Sequence, residues 1–335
     1  MQSTPRTRSH ETLVTGSTGF VGNHVARFLA SRGDRLRLFV RPSSDRATLA
    51  GIDAEIVVGD LRDAASVAEA TRGCATVFHA AAEYSLWCKN PQRMYAANVQ
   101  GTRHLLEAAL LAGVERFVHT SSIGTIAPSD DGSAVTEESP SSLAKMTGHY
   151  KRSKFLAERE VERYASRGLN VVIVNPTAPV GEGDFKPTPT GRIIKDFIDG
   201  RMPAYIDTGL NVVDVRDIAR GHWLAAEKGR PGERYILGSE NLSLRQILEL
   251  AAGAGGRQAP QVRLPYFAAW LAGACSTGWA QITGVAPRVP LDGVRMSRRP
   301  MFADCSKARR ELGFTPAPVQ PALARAVEWF QRSRG

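Results

Sequence analysis

Short apolar segments alternate with helical patterns over residues 11–180, and this alternation leaves few architectures open. The apolar runs are rich in valine, isoleucine and phenylalanine, as strands buried on both faces are. Strands that alternate with helices form a parallel sheet with right-handed crossovers and helices on both faces. The sequence therefore predicts a doubly wound α/β fold with strands at 13–16, 35–40, 54–60, 76–81, 116–122 and 170–176 and helices at 19–31, 64–72, 93–112 and 149–167.

The alternation then ends, because residues 181–192 are rich in glycine, proline and threonine and predict a loop. We expect residues 1–10 to be a flexible N-terminus and residues 11–180 to form the main domain. Residues 181–335 should form a smaller, mainly helical C-terminal substrate domain that returns some strands to the main sheet. This domain is predicted to hold a strand at 234–238 and helices near 190–200, 214–228, 243–253, 265–280 and 320–332, with Ser243 as an N-cap.

Composition excludes several functional classes. The net charge of +10 is spread along the whole chain without a dense basic run, so nucleic-acid binding is not expected. Four scattered cysteines fit reduced thiols in a cytoplasmic protein and argue against a metal site. No run of about 18 apolar residues occurs, so no transmembrane helix is predicted.

Residues 264–287 carry no charge and are flanked by Arg263 and Arg288. The simpler interpretation is a helix buried against its neighbours. The alternative is a helix that lies on an anionic membrane, which would place a cytoplasmic protein at the inner membrane.

The segment TGSTGFVG places Gly16, Gly19 and Gly22 directly after the first strand and at the start of the first helix. Glycines allow the backbone to turn tightly and to approach a pyrophosphate, and a helix N-terminus offers N–H groups to its phosphates. The spacing is G-x-x-G-x-x-G. This turn predicts a Rossmann-type dinucleotide-binding domain, with further cofactor contacts from Thr18, Phe20 and Val21.

A basic residue ends the second strand, where NAD enzymes usually carry an acid for the adenosine 2′-hydroxyl. This residue is Arg41, and a guanidinium suits the 2′-phosphate of NADP. We therefore expect NADP(H) to be favoured over NAD(H). Asp45 keeps NAD(H) as the alternative.

In the segment GHYKRSK, Tyr150 and Lys154 stand one helical turn apart and project from one face. A tyrosine with a pKa of about 10 is a poor base at neutral pH, but a nearby cation favours its phenolate. The pair suits proton transfer at an oxygen whose carbon exchanges a hydride. Lys151 and Arg152 between them are expected to be exposed to water. Without the glycine turn, the whole stretch would be an ordinary charged helix face.

Ser122 follows the fifth strand, at the sheet edge where open α/β sheets bind their ligands. Its hydroxyl would donate to the substrate oxygen as charge develops there. Ser121 is the alternative, since neighbouring side chains of a strand point to opposite faces.

Several motifs together resemble the extended short-chain dehydrogenase/reductase family, within the NAD-dependent epimerase/dehydratase superfamily. They are the glycine turn, GDLRD at 59–63, FHAAA at 78–82, NVQGT at 98–102, TSS at 120–122 and YKRSK at 150–154. The resemblance implies that Ser122, Tyr150 and Lys154 are catalytic and that helices 93–112 and 149–167 form a homodimer. It also implies cofactor contacts from Asp60 and Leu61 at the adenine, from Ala80 and Ala81 at the ribose, from Asn175 and Pro176 at the nicotinamide, and from Asn98, Thr120 and Thr177.

The segments GHYKRSKFLAE, DFKPTPTGRII, RMPAYIDTGLNVVDV and GERYILGSENLSLRQIL are similar to the hopanoid-associated sugar epimerase family, a relative of the dihydroflavonol reductases. Position 124 is glycine, where sugar-nucleotide epimerases tend to carry threonine. We expect an oxidoreductase or epimerase acting on a secondary alcohol or carbonyl of a sugar- or polyol-like substrate, either a small molecule or linked to a hopanoid lipid. A reductase with an unrelated substrate and a non-catalytic cofactor-binding protein are the alternatives. Candidate substrate residues are Glu83, Tyr84, Trp87, Ser122, Lys186, Thr188 and Arg192, followed by Thr190, Tyr205 and Arg216.

Overall fold

A computed structural model describes residues 11–332, so the predicted flexible segment 1–10 lies outside the described residues. Seven parallel strands form the main sheet in the order β10-β6-β5-β4-β1-β2-β3. Strand order reverses between β1 and β4, as in a Rossmann-type sheet. The strands are β1 Glu11–Thr15, β2 Leu36–Val40, β3 Glu55–Val58, β4 Cys74–His79, β5 Arg116–Thr120, β6 Val171–Pro176 and β10 Arg234–Leu237.

Helices cover both faces of this sheet. On one face, α1 (Phe20–Ser31) packs beside α7 (Val215–Lys228) over a core of valine, leucine and phenylalanine side chains. On the other face lie α2 (Ala64–Thr71), α4 (Gly101–Leu111) and α5 (Gly148–Ser166). The predicted doubly wound α/β fold is therefore confirmed.

Two details of this domain differ from the prediction. The helix expected over 93–112 is interrupted: α3 (Gln92–Tyr95) is joined to α4 by a π-turn at Ala96–Gln100. Such turns are frequent at functional sites. The expectation that every strand is buried on both faces is wrong for β3, where Ile56 is 42% and Val58 is 44% exposed. Strand β3 is one of the two edge strands of the sheet, and unlike the other, β10, it is not covered by α7 and α11 (Ser306–Leu312).

Most of the remaining elements pack apart from the main sheet, whereas α11 packs on α7 and β10 in the main core. Three helices with a shared apolar core are α6 Pro189–Ile198, α8 Leu244–Gly255 and α12 Gln320–Arg332. The predicted N-cap Ser243 is confirmed, since its hydroxyl and the Gln246 side chain form a capping box at the start of α8. The other elements are the strands β7 Ala178–Val180, β8 Ala204–Ile206, β9 Gly209–Asp214, β11 Glu240–Ser243 and β12 Val262–Leu264, and the helices α9 Tyr266–Thr283, α10 Leu291–Met296 and α11 Ser306–Leu312.

Helix α9 contradicts the interpretation that the uncharged segment is buried against its neighbours. Its buried residues are the small Ala269, Gly273 and Ala280. The large side chains Phe267 and Trp279 are 71% and 68% exposed. Within residues 11–332, no helix is both long and apolar enough to cross a membrane.

Candidate active site

The glycine-rich turn packs backbone against backbone between β1 and α1. Gly16 has a φ of +77°, in the left-handed region that favours glycine, and a Cβ there would lie 2.6 Å from the Ala81 nitrogen. A Cβ on Gly22 would overlap the Gly16 carbonyl group. Glycine is therefore required here by the close approach of α1 and of the segment after β4.

The same turn fits a pyrophosphate. Among the described residues, a Cβ on Gly19 would meet only the Gly16 oxygen, at 3.3 Å, so the turn is open above Gly19. No side chain of residues 11–332 caps the start of α1, and its first turn holds no acidic residue. The N–H groups of Phe20, Val21 and Gly22, at the positive end of the helix dipole, are directed to where phosphates would lie.

The end of β2 presents a cation where the adenosine ribose of a dinucleotide would lie. Arg41 is exposed there. The pKa of Asp60 is lowered mainly by the guanidinium of Arg62, which donates to both carboxylate oxygens at 2.9 and 2.6 Å; Arg41 lowers it further. The Asp45 carboxylate accepts from the Ala47 N–H at 2.9 Å and so caps the next turn.

Three other predicted cofactor contacts lie at the carboxyl edge of the sheet. Ala80 and Ala81 follow β4, and their N–H groups donate to the carbonyl and hydroxyl oxygens of Thr15 at 3.2 and 3.3 Å. Leu61 follows β3 and packs against Gly101, where a Cβ would lie 2.8 Å from the leucine Cβ.

Three predicted cofactor residues have side chains engaged within the protein. The Asn98 amide accepts from the Glu83 N–H at 2.7 Å and donates to the Glu83 carbonyl at 2.9 Å. The Thr120 hydroxyl bonds the His222 ring at 2.8 Å, and Thr177 is buried beyond the end of β6. These side chains fix the loops that follow the strands.

The predicted catalytic side chains come together at the same edge. Tyr150 and Lys154 lie on the first turns of α5, and Ser122 follows β5 within hydrogen-bonding reach of the Tyr150 phenol. Lys154 is buried, and its Nζ donates to the Thr120 carbonyl at 2.6 Å. The hydroxyl of the alternative, Ser121, is buried and makes no hydrogen bond within residues 11–332. The geometry therefore favours Ser122.

Burial governs the charges of this pair. Burial raises the pKa of Tyr150 to about 12, although a hydrogen bond from Ser122 acts in the opposite direction. Burial also lowers the pKa of Lys154 to about 8, against the attraction of Glu158. The expected shift of the tyrosine toward phenolate is therefore absent, because the ammonium is directed at a backbone carbonyl and the dry surroundings disfavour both charges. At neutral pH the phenol is therefore protonated.

Glu158 is fully buried on α5 and is not among the predicted site residues. Its Oε1 accepts from the Asn175 amide at 2.8 Å and from the Thr125 hydroxyl at 3.0 Å, and its Oε2 lies 3.5 Å from the Arg234 guanidinium. The Asn175 amide also donates to the Ser122 carbonyl at 3.0 Å. This network fixes the serine turn relative to α5 and β6. The sequence does indicate Glu158 in one way, because it follows Lys154 by four residues and so lies on the same helix face as the catalytic pair.

Lys151 is buried, with 8% exposure, so the expectation that it faces water is wrong. Its stem packs on Gly124, where a Cβ would lie 3.4 Å from the lysine Cγ and Cε and 3.2 Å from the Ser122 Oγ. Its Nζ contacts the Met301 sulfur at 3.8 Å, and burial lowers the pKa of Lys151 to about 8. Gly124 thus leaves space for a lysine beside Ser122. Arg152 is exposed as expected.

Among the predicted substrate residues, Tyr84 contacts the catalytic tyrosine. The rings of Tyr84 and Tyr150 meet edge to face, with centroids 4.3 Å apart. Burial raises the pKa of Tyr84, the nearby Tyr150 raises it further, and the charge of Arg192 lowers it. Arg192 therefore lies near Tyr84.

Other substrate candidates are engaged elsewhere. The Glu83 carboxylate lies 3.4 Å from the Arg93 guanidinium. Thr188 caps α6, since its hydroxyl donates to Asp184 at 2.8 Å and accepts from the Gly191 N–H at 3.1 Å. Thr190 is buried in α6, Tyr205 packs against the α6–α8–α12 core and Arg216 pairs with Glu182. Lys186 is exposed and Trp87 is half-buried.

Comparisons with known proteins find similar sequences and structures over nearly the whole chain. A family model described as the NAD dependent epimerase/dehydratase family matches residues 12–238, which include the glycine turn and all three catalytic candidates. A Synechocystis sp. protein provisionally named dihydroflavonol 4-reductase is 44% identical over 95% of this chain and 94% of its own length. A Methylococcus capsulatus protein named sterol demethylase protein B is 38% identical over 97% of this chain and 99% of its own length. The crystal structure of gox2253 is 44% identical with a TM-score of 0.86, covering 97% of this chain and 99% of that one.

Replacing Lys151 by methionine should stabilise the protein at neutral pH. The folded-state pKa of about 8 lies below the usual 10.5, so this lysine makes stability rise as pH climbs from 8 to 10.5. We expect Lys151→Met to raise the free energy of unfolding by on the order of 1–3 kcal/mol below pH 8. This increase should vanish by about pH 10.5. Urea unfolding across this pH range measures it. Lys145→Met, at an exposed position, is the control, and a pH-independent loss in Lys151→Met would contradict the account.

Proposed function

Because the chain belongs to the NAD dependent epimerase/dehydratase family, we propose that it transfers a hydride between NADP(H) and a secondary alcohol or carbonyl. The observation that carries this proposal is the meeting of Ser122, Tyr150 and Lys154 at the sheet edge that also holds the glycine turn. When bound, the nicotinamide supplies or accepts the hydride. The chain's own side chains handle the oxygen and its proton.

Each of the three side chains has a separate role. The Ser122 Oγ accepts from the Gly124 N–H at 3.0 Å. Its own hydrogen, which is directed at the Tyr150 phenol, would donate to the substrate oxygen once a substrate is bound. Tyr150, a protonated phenol with a raised pKa, donates the proton that a newly formed alkoxide needs. Lys154, held at the Thr120 carbonyl, keeps a positive charge on the phenol's side of α5. A protonated acid suits reduction of a carbonyl.

NADP(H) rather than NAD(H) is the cofactor that the β2 end favours. Arg41 supplies a cation there, while the Asp45 carboxylate is used to cap a turn. A 2′-phosphate would gain a charge-assisted hydrogen bond from the guanidinium, whereas a 2′-hydroxyl would gain much less.

The substrate is proposed to be a sugar- or polyol-like group carried on a lipid of the hopanoid type. The sequence resemblance to the hopanoid-associated family supports this, as does the relative that is named for a sterol. Tyr84, beside the catalytic tyrosine, offers an aromatic face to such a polyol, and Arg192, near Tyr84, offers a cation. Epimerisation uses the same catalytic residues and remains the second candidate, favoured by the family description. The homodimer through α4 and α5 stays a prediction.

Tyr150→Phe should lower kcat by roughly 10²–10⁴-fold, because the proton donor is lost while the ring is kept. The affinity for NADPH, measured by fluorescence titration, should not change. A variant that keeps full turnover would contradict the assignment of Tyr150.

Arg41→Ala should lower kcat/KM for NADPH by roughly 10–100-fold, because one charge-assisted hydrogen bond to the 2′-phosphate is lost. The kcat/KM for NADH should stay nearly constant. Arg72→Ala, an exposed arginine paired with Glu69, is the matched control. Equal losses with both cofactors would rule out recognition of the 2′-phosphate.

Cofactor exchange separates reductase from epimerase. A reductase must release NADP⁺ after every turnover, so we expect purified protein to lose bound cofactor on gel filtration and to oxidise NADPH with candidate ketones. Protein that keeps its cofactor tightly and oxidises no NADPH with any ketone would be an epimerase instead.

A further inference from the structure

Helix α9 carries a continuous apolar surface on its outer side. Phe267, Leu271, Trp279 and Ile282 are 71%, 49%, 68% and 82% exposed, and their spacing places them along one face of the helix. Trp270 beside them is 38% exposed. A soluble surface seldom exposes so many large apolar side chains together, and such patches mark interaction sites. We name these five residues the α9 face.

Charges around the α9 face are mostly positive. Residues 257–299 hold six arginines and a single acid, Asp292. A cleft of about 270 Å³ at the start of α9 is lined by Arg263 and Arg298 and also by Asp207, which pairs with Arg263 at 2.6 Å. Arg295 pairs with Asp292 and Arg299 with Asp130, which leaves Arg298 in the cleft without a carboxylate partner among the described residues. The surroundings therefore fit a partner that is apolar inside and anionic at its surface.

We propose that the α9 face docks the protein on an anionic lipid bilayer. The helix has 18 residues and is about 27 Å long. No helix of residues 11–332 is long and apolar enough to cross a membrane, so α9 would lie in the interface. Its aromatic side chains would then lie among the headgroups. The flanking arginines contact lipid phosphates, one of which enters the cleft beside Arg263 and Arg298. A second copy of the chain fits less well, because two arginine-rich rims would repel each other.

Helix α10 lies between α9 and the start of α5. The buried Gly273 of α9 packs on Leu291 and Val294 of α10, so the α9 face, on the opposite side of the helix, points away from α10. Asp292 of α10 in turn packs on Gly148, where a Cβ would lie 2.8 Å from the carboxylate. The docking is proposed for the α9 face alone and does not rest on the proposed function.

Vesicle flotation tests the docking without any turnover. We use phosphatidylcholine vesicles with and without roughly a third phosphatidylglycerol, at low and high salt. The wild-type protein should float with the anionic vesicles only and be released by salt. Phe267→Gln/Leu271→Gln/Ile282→Gln should lower the partition coefficient at least roughly tenfold. Arg263→Gln/Arg298→Gln should lower it by roughly 25-fold, about five-fold for each charge.

A surface variant elsewhere controls for general stickiness. Leu111→Gln removes an apolar side chain that is 79% exposed on α4 and should leave flotation unchanged. Circular dichroism checks that each variant folds. A blue shift of tryptophan fluorescence on binding, lost in Trp270→Phe/Trp279→Phe, independently places the α9 face in the interface. The proposal is overturned if the wild-type protein fails to bind anionic vesicles or binds neutral vesicles equally well. It is also overturned if the triple variant still floats with anionic vesicles but no longer self-associates. Hydride transfer from the cofactor, and its dependence on Tyr150, is measured separately, so either proposal can fail alone.

Discussion

The packing of α1 onto the turn after β1 determines what the carboxyl edge of the sheet can hold. Gly16 and Gly22 meet backbone to backbone, and the segment after β4 closes on Gly16 from the other side. No side chain can be added there without moving a helix or a strand. Because the sheet is parallel, the same edge also receives the residues after β5 and β6. The position of the dinucleotide turn thus fixes the place where Ser122 and Tyr150 meet.

The burial of charged side chains on α5 lowers the stability of the protein but suits its chemistry. Lys151, Lys154 and Glu158 are all nearly or fully buried on one helix, where charged groups are disfavoured. Glu158 is held by Asn175 and Thr125, and Lys154 by a carbonyl oxygen. A dry cleft strengthens every hydrogen bond made to a reacting oxygen, so the same burial that destabilises the lysines favours catalysis.

The order of strands and helices over residues 11–180 was predictable because local hydrophobic patterns determine it. The catalytic pair was predictable because its i, i+4 spacing is local. The burial of Lys151 was not predictable, because it depends on the absence of a side chain at Gly124, which is distant in sequence. Glu158 was missed because its partners come from β6 and the serine turn. The exposure of α9 was also unpredictable, because an uncharged sequence has the same pattern whether a protein core or another partner covers it.

Deuteride transfer tests the central claim most directly. Lipid extract is incubated with the protein and NADPH deuterated at the nicotinamide C4, and the products are analysed by mass spectrometry. The account predicts one deuterium on a newly formed carbinol carbon, and no label with Tyr150→Phe. If deuterium reaches no lipid while the labelled cofactor is recovered intact, net hydride transfer from NADPH to a lipid-linked substrate is contradicted.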